Sequence, residues 1–302
     1  MELRQIKKIL VGTGLTGESV GAVLQARAMA DAYGAELHAV HAIEPISSRQ
    51  EEAMPGLAEK HAAQAREELE KFASTHELVD HATLHVVRGS PETEILKLRA
   101  SLKADLLVVG RYGKGGLKRG ILGSIADRLV RKCPVPALVV QPEFRGTYST
   151  IGVASDLDQD SEVELRRAID VARAVKADKV RLIHTFAVPA GYHMVSTWDE
   201  ACARLARVGE ERATELIERV GGDIPVEVHI HEGAPATQVT KVATDLGVDL
   251  LALSTHHRSI TSFSNHGRTT EKILRNSDCS VWCESNPALY QGLIDSIREL
   301  LD

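Results

Sequence analysis

The residue types and spacings best suited to chemistry are Gly110-Arg-Tyr-Gly113 and, nine residues further on, Gly123-Ser124. Glycine has no β-carbon, so the backbone at these points can lie close against a ligand. A Gly-Ser pair at the start of a helix presents backbone N–H groups and a hydroxyl, and the first turn of a helix is where backbone holds anions. Ile125 opens the helical pattern, and the intervening segment adds Lys118 and Arg119, cations that could neutralise phosphate. The pieces alone are common. The spacing G-x2-G-x9-G-S, between an apolar run and a helical pattern, points to a phosphate cradle.

A second glycine pattern competes with the first. Gly12-Thr-Gly14-Leu-Thr-Gly17 matches G-x-G-x-x-G after a strand, and Glu44 stands where a ribose-binding acid of a dinucleotide site could lie. The histidines concentrate late in the chain, at His184, His193, His229, His231, His256, His257 and His266. His256 and His257 fall at a strand end, where ligands gather in open α/β sheets. With Asp156 and Arg268 they form a candidate second pocket for a metal or an anion. The bland alternative is polar strand-end residues, and no spacing matches a structural zinc pattern. No nucleophile–base pair stands out, so no catalytic residue is assigned. Asp127 reads as a solvent-facing carboxylate, and Cys133, Cys279 and Cys283 read as structural rather than reactive.

The elements that must position these residues follow from hydrophobic periodicity. Strands are expected at 6–12, 36–43, 82–88, 105–110 and 136–141, alternating with helices near 17–33, 55–75, 91–103 and 124–132. Ser90 is a plausible cap for the third of these helices, with Pro91 at its first position. The pattern then recurs. Strands are expected near 150–155, 179–185, 225–231, 249–254 and 279–283, with helices near 160–175, 198–220, 235–246 and 267–275. Gly89 and Gly233, Pro91 and Pro235, Asp105 and Asp249, and Gly123 and Gly267 each lie 144 positions apart. A constant offset across strands, turns and loops marks an internal duplication. Alternating strands and helices imply a parallel sheet covered by helices. The expected domains are 1–145, with the intact glycine motif, and 146–286, with a degenerate one. A C-terminal amphipathic helix is expected over 287–302. This duplication weakens the dinucleotide reading, because the repeated segment Val153-Ala-Ser-Asp-Leu-Asp158 keeps none of its glycines.

Composition narrows the classes. The chain has 302 residues, 43% hydrophobic and 26% charged, with a net charge of −6, which fits a soluble globular protein rather than a general nucleic-acid binder. No apolar run approaches the roughly 20 residues of a membrane helix. The start, Met1-Glu-Leu-Arg-Gln, lacks the apolar segment of a signal peptide. The four cysteines form no framework. The expected setting is cytoplasmic, with no membrane or nucleic-acid partner.

Taken together, the chain resembles a tandem universal stress protein. The residues that carry the resemblance are the Gly110–Ser124 motif, Gly89-Ser-Pro91, Ala104-Asp105-Leu-Leu-Val-Val, Cys133-Pro-Val-Pro-Ala-Leu-Val-Val140 and the opening Lys8-Ile-Leu-Val. The resemblance implies two open five-stranded, Rossmann-like parallel sheets of the adenine-nucleotide α-hydrolase type. They would pair through their last strands as an intramolecular pseudo-dimer, with a homodimer of the chain also compatible. It further implies ATP, or AMP or ADP, as ligand, with Mg2+ admissible alongside ATP, at Gly110, Gly113, Gly123 and Ser124. Members lacking the glycine motif often bind no nucleotide. The family places an Asp after the first strand, beside the adenosine; here Gly14 stands there, and Thr13 or Thr16 could replace a hydrogen bond. Ala42 falls where backbone lines the adenine. In the second half Asp156 supplies the family's Asp, while Ser254, His257 and Arg268 replace Gly110, Gly113 and Ser124. The expected function is a nucleotide-dependent stress regulator or scaffold. A nucleotide-independent interaction or small-ligand-binding scaffold, a slow ATPase and an NAD-dependent enzyme stand as alternatives.

Overall fold

A computed structural model describes residues 3–112, 122–143, 146–158, 161–254 and 266–285. The expected helix over 287–302 lies outside them. Arg4–Thr147 form one compact unit, and the chain from Tyr148 forms another.

In the first unit, five strands alternate with helices: β1 (Lys8–Gly12), α1 (Gly17–Tyr33), β2 (Glu36–Ile43), α2 (Ser48–Ala53), α3 (Leu57–Thr75), β3 (Ala82–Arg88), α4 (Pro91–Leu102), β4 (Leu106–Gly110), α5 (Ser124–Lys132) and β5 (Ala137–Val140). All pairings are parallel, in the order β3-β2-β1-β4-β5. The strand order reverses between β1 and β4, the point where open α/β sheets leave a crevice beyond their strand ends. Covered on both faces, β1 and β4 are almost wholly apolar: Ile9, Leu10, Val11, Leu106, Leu107 and Val108 are fully buried.

The second unit repeats the plan: β6 (Ile151–Ala154), α6 (Ser161–Val175), β7 (Val180–Phe186), a 3-10 turn (Tyr192–Met194), α7 (Trp198–Val220), β8 (Val226–Glu232), α8 (Pro235–Asp245), β9 (Leu250–Ser254), α9 (His266–Asn276) and β10 (Ser280–Glu284). Its order is β8-β7-β6-β9-β10, again parallel throughout. The ladders give the residue correspondence directly. Ile9 pairs with Leu37 and Leu106, and Ile151 pairs with Val180 and Leu250. Thus β1 matches β6 at 142 positions, β2 matches β7 at 143 and β4 matches β9 at 144.

Both units use the same local devices. The carboxylate of Asp105 accepts from the backbone N–H groups of Lys7 and Lys8, and that of Asp249 from Ser149 and Thr150. Each ties the entry of its unit's first strand to the start of the central neighbour. The first strand begins at Lys8 and not at residue 6. Gly89 and Gly233 take φ of 142° and 132°, a backbone open to glycine, and a β-carbon there would meet the side chains of Glu94 and Gln238. Ser90 precedes α4, but its side chain makes no capping hydrogen bond, so the entry rests on Pro91.

Candidate functional site

The two ends of the glycine motif meet. Arg111 follows β4, and its N–H donates to the carbonyl of Val140 at 2.9 Å; the N–H of Gly123 donates to the carbonyl of Arg111 at 2.8 Å. The strand end at Gly110 and the start of α5 are therefore held side by side. Gly123 is the N-cap residue of α5, and the helical ladder begins where Asp127 N–H donates to its carbonyl. A glycine cap has no side chain to satisfy the next N–H groups, so those of Ser124 and Ile125 stay available to an acceptor. Ser124 is exposed, and Ile125 is 38% exposed, unusual for so large an apolar side chain.

Gly110 is informative because none of its described neighbours requires it. A β-carbon there would sit 3.4 Å from the carbonyl of Glu18 and 3.7 Å from Ala22 Cβ, ordinary contacts. Gly14 is open too, its nearest neighbour for a β-carbon being Thr16 Oγ1 at 3.8 Å. Thr13, by contrast, is 7% exposed and its hydroxyl is engaged internally, 3.0 Å from Ser19 Oγ and accepting from Leu15 N–H at 3.1 Å. His41 Nδ1–H donates to the Thr13 carbonyl at 2.9 Å. At the start of α1, Ser19 Oγ accepts from the N–H of the N-cap residue Thr16 at 3.2 Å. Ala42 lies near the C-terminal end of β2, half-buried. Gly113, Lys118 and Arg119 lie outside the described residues. Arg111, which the sequence did not single out, is 2% exposed, with its guanidinium 5.8 Å from the Tyr112 ring. Asp127 is not free in solvent: it accepts from Arg131 Nε at 3.0 Å and Nη2 at 3.2 Å.

In the second unit, a cavity of about 550 Å3 opens at the C-terminal ends of β6 and β9. Its lining maps onto the first unit through the register above. Ser155, Thr185, Ser254 and Thr269 occupy the positions of Thr13, Ala42, Gly110 and Ile125. Asp156 replaces Gly14, Glu164 replaces Ala22 and Lys272 replaces Arg128. The framing is conserved down to single bonds. Ser155 Oγ accepts from Leu157 N–H at 3.1 Å, Leu157 repeats the positive φ of Leu15 (58° and 56°), and His184 Nδ1–H donates to the Ser155 carbonyl at 2.9 Å. Residues named from sequence in the first unit thus match the wall of a formed cavity in its duplicate. Asp156 is exposed on that wall, accepting from Ser161 Oγ at 3.1 Å. Glu164, missed in sequence, is 4% exposed. Its position in the middle of a helical pattern carried no signal in the sequence. His256 and His257 lie outside the described residues; Arg268 falls in the first turn of α9, its side chain likewise outside them. Among the described residues, no three His, Cys, Asp or Glu side chains group to hold a metal ion. Cys133, Cys279 and Cys283 are buried, and burial pushes the Cys283 thiol up to about 12, away from reactivity.

A model of the universal stress protein family matches the chain twice, over residues 5–141 and 147–283. A universal stress protein of Methanocaldococcus jannaschii is 30% identical over 141 residues, 45% of this chain and 82% of that protein. One from Thermus aquaticus is 31% identical over 135 residues, 45% of this chain and 98% of that protein. Among solved structures, a Pseudomonas aeruginosa protein described as functionally unknown matches with a TM-score of 0.67 at 20% identity, covering 97% of this chain and 98% of its own. A universal stress protein from Archaeoglobus fulgidus matches with a TM-score of 0.61 at 19% identity, covering 93% and 97%. These likenesses concern the fold. No described helix is long and apolar enough to cross a membrane.

Proposed function

The chain belongs to the universal stress protein family, which its two halves both match, and we propose that its N-terminal half binds an adenine nucleotide, ATP foremost, as a signal that the protein relays to partners. The observation that carries this is the bond from Gly123 N–H to the Arg111 carbonyl at 2.8 Å. It sets a glycine-capped helix start beside Gly110, where the described neighbours would leave room for a β-carbon. Backbone N–H groups at such a start suit a phosphate. Gly110, Gly113, Gly123, Ser124 and Ile125 form the phosphate side, with Lys118 and Arg119 as neutralising cations. Ala42 and the Thr13 backbone form the nucleoside side, since the Thr13 hydroxyl is engaged with Ser19 and Leu15. Any Mg2+ would arrive with the triphosphate. The C-terminal half, with side chains in place of glycines, does not bind nucleotide in this way.

Calorimetric titration of ATP into the whole protein and its Gly123→Val variant tests the reading. Losing two or more backbone contacts to a charged ligand should weaken binding by about tenfold to a hundredfold. Unchanged affinity would put the site elsewhere. A second reading, a scaffold that works without nucleotide, is favoured by Gly14, which lacks the carboxylate that Asp156 supplies in the duplicate. Its mark would be wild-type protein whose melting temperature ATP does not move.

A further inference from the structure

The second half carries an apolar patch that the first lacks. Of the seven large apolar side chains exposed among the described residues, three stand within five residues: Met194 at 79%, Val195 at 81% and Trp198 at 45%. Tyr192 joins them, its ring edge-on to that of Trp198 with centroids 5.2 Å apart. The turn that presents them is fastened. The N–H of Met194 donates to the Gly191 carbonyl, and those of Val195 and Ser196 donate to the Tyr192 carbonyl, each at 3.0 Å. Thr197 then caps α7, its own N–H donating to the Glu200 carboxylate at 3.1 Å. A fixed turn with clustered apolar side chains on its outside marks a contact surface. In the first unit the stretch after the second strand is polar, Ser48-Arg-Gln-Glu-Glu-Ala53, with Met54 as its one exposed large apolar side chain.

The second half also carries a segment that the first lacks. Over residues 287–302, Leu289, Leu293, Ile297 and Leu300 recur at helical spacing, an apolar stripe that needs a surface to cover it. In the first half only ten residues separate the end of β5 from the start of β6. Topology brings stripe and patch to one place. The strands are parallel, so β10 and β7 end at the same edge of the sheet, with β9 and β6 between them. Three strand spacings are roughly 14 Å. The sixteen residues 287–302, wound as a helix, would span roughly 24 Å. Right-handed connections put α6 and α7 on one face of this sheet and α8 and α9 on the other. Helix α6 packs on α7, β9 and β10, so one face leads from the end of β10 past α6 to the turn before α7. The connection from β9 serves α9, on the opposite face.

We propose that residues 287–302 seat their apolar stripe on Tyr192, Met194, Val195 and Trp198 of the same chain, closing this patch to other molecules. Stripe and patch occur together in one half and are missing together from the other. The inference does not depend on nucleotide in the first half.

The test uses the full chain and reads each partner from the other. The two tryptophans are Trp198 and Trp282, and Trp282 is fully buried, so acrylamide quenching of fluorescence reports on Trp198. Leu293→Asp with Ile297→Asp should raise the quenching constant about twofold or more, because an indole freed from a contact recovers its accessible face. Conversely, Met194→Asp with Val195→Asp, at side chains exposed on the turn, should speed tryptic cleavage after Arg298 by at least about tenfold, since two apolar side chains leave the contact. Asp295→Asn with Glu299→Gln, on the segment but off the stripe, should move neither readout. Unchanged quenching in the first variant, unchanged cleavage in the second, or an equal effect of the third would each overturn the proposal. So would shielding of Trp198 that is lost on dilution as the sedimenting mass halves, which would give the patch to a second copy of the chain.

Discussion

After its first strand the N-terminal half carries Thr13-Gly14 and the C-terminal half Ser155-Asp156; at the end of its fourth strand the first has Gly110 and the second Ser254. The backbone around these pairs is the same: the hydroxyl of Thr13 or Ser155 accepts from a leucine N–H, and a histidine donates to the carbonyl beside it. The comparison separates what the fold needs from what a ligand needs. Residues that keep their type in both halves, Asp105 and Asp249 or Gly89 and Gly233, are explained by bonds and dihedral angles within the protein. Among the residues that change are Gly14 and Gly110, where the described neighbours leave room for a β-carbon, and Ala22, whose counterpart Glu164 lies on a cavity wall.

The halves also differ in their cores, and that difference gives the largest expected effect. In the second unit Arg167, 1% exposed, donates to Glu284 at 2.8 Å and to Asp170 at 2.9 Å, and Trp282 Nε1 also donates to Glu284 at 2.9 Å. The corresponding residues of the first unit are Gln25, Val140 and Leu138, none charged. Burial raises the Glu284 carboxyl, while the Arg167 guanidinium opposes that rise. Arg167→Met should destabilise the second unit by about 3–5 kcal/mol, because it leaves a buried carboxylate without its counter-charge. Adding Glu284→Val, the residue the first unit uses, should recover most of that, less about 1 kcal/mol for the stranded indole N–H. Urea melts of the three proteins decide it, and a double variant no better than the single one would break the equivalence of the two cores.

A smaller effect separates the halves by pH. His38 Nδ1 lies 3.0 Å from His85 Nε2 in the first unit; the matching positions in the second are Arg181 and His229. Burial holds His38 and His85 below the ordinary imidazole range, with Lys8 and Arg66 adding to it and Glu36 opposing it at His38. Folded values below unfolded ones mean that the unfolded chain takes up protons first. The contribution is intact above about pH 6.5 and is lost as pH falls from there through the folded values. His229 is lowered likewise, by burial and then by Arg181, so each half weakens in acid, the first through two groups. Melting temperatures between pH 7.5 and 5.5 should fall less steeply in His85→Gln; an unchanged slope would remove the pair from this account.

The smallest change sharpens the comparison of sites. Gly14→Asp gives the first half the carboxylate of Asp156, in open space. One added hydrogen bond to the nucleoside should tighten ATP by about threefold to tenfold. Weaker binding would mean that the added charge opposes the phosphates.

Much of this was legible before any coordinates. The offset of 144 residues carried by Gly89, Pro91 and Asp105 located the repeat, and apolar runs such as Leu106–Val109 located the buried strands, because parallel strands covered on both faces need unbroken hydrophobicity. What escaped has local causes. The helix α2 and the turn Tyr192–Met194 are too short to show a period. The role of Asp105 was visible only as repetition; its partners, Lys7 and Lys8, are nearly a hundred residues away. Thr13 looked like a free hydroxyl, and only the fold brings Ser19 against it. Glu164 lies within a helix with no motif around it, and its place on a cavity wall is a property of five other elements.

The Gly123–Arg111 bond bears on how such a protein can change. Where both ends of a flexible segment are fastened to a scaffold, doubling the length between them costs only about 0.6 kcal/mol in closure entropy. Insertion or deletion between Arg111 and Gly123 should therefore cost the sheet beneath little stability. A family that keeps the hinge and varies the insert could retune what it recognises without refolding anything.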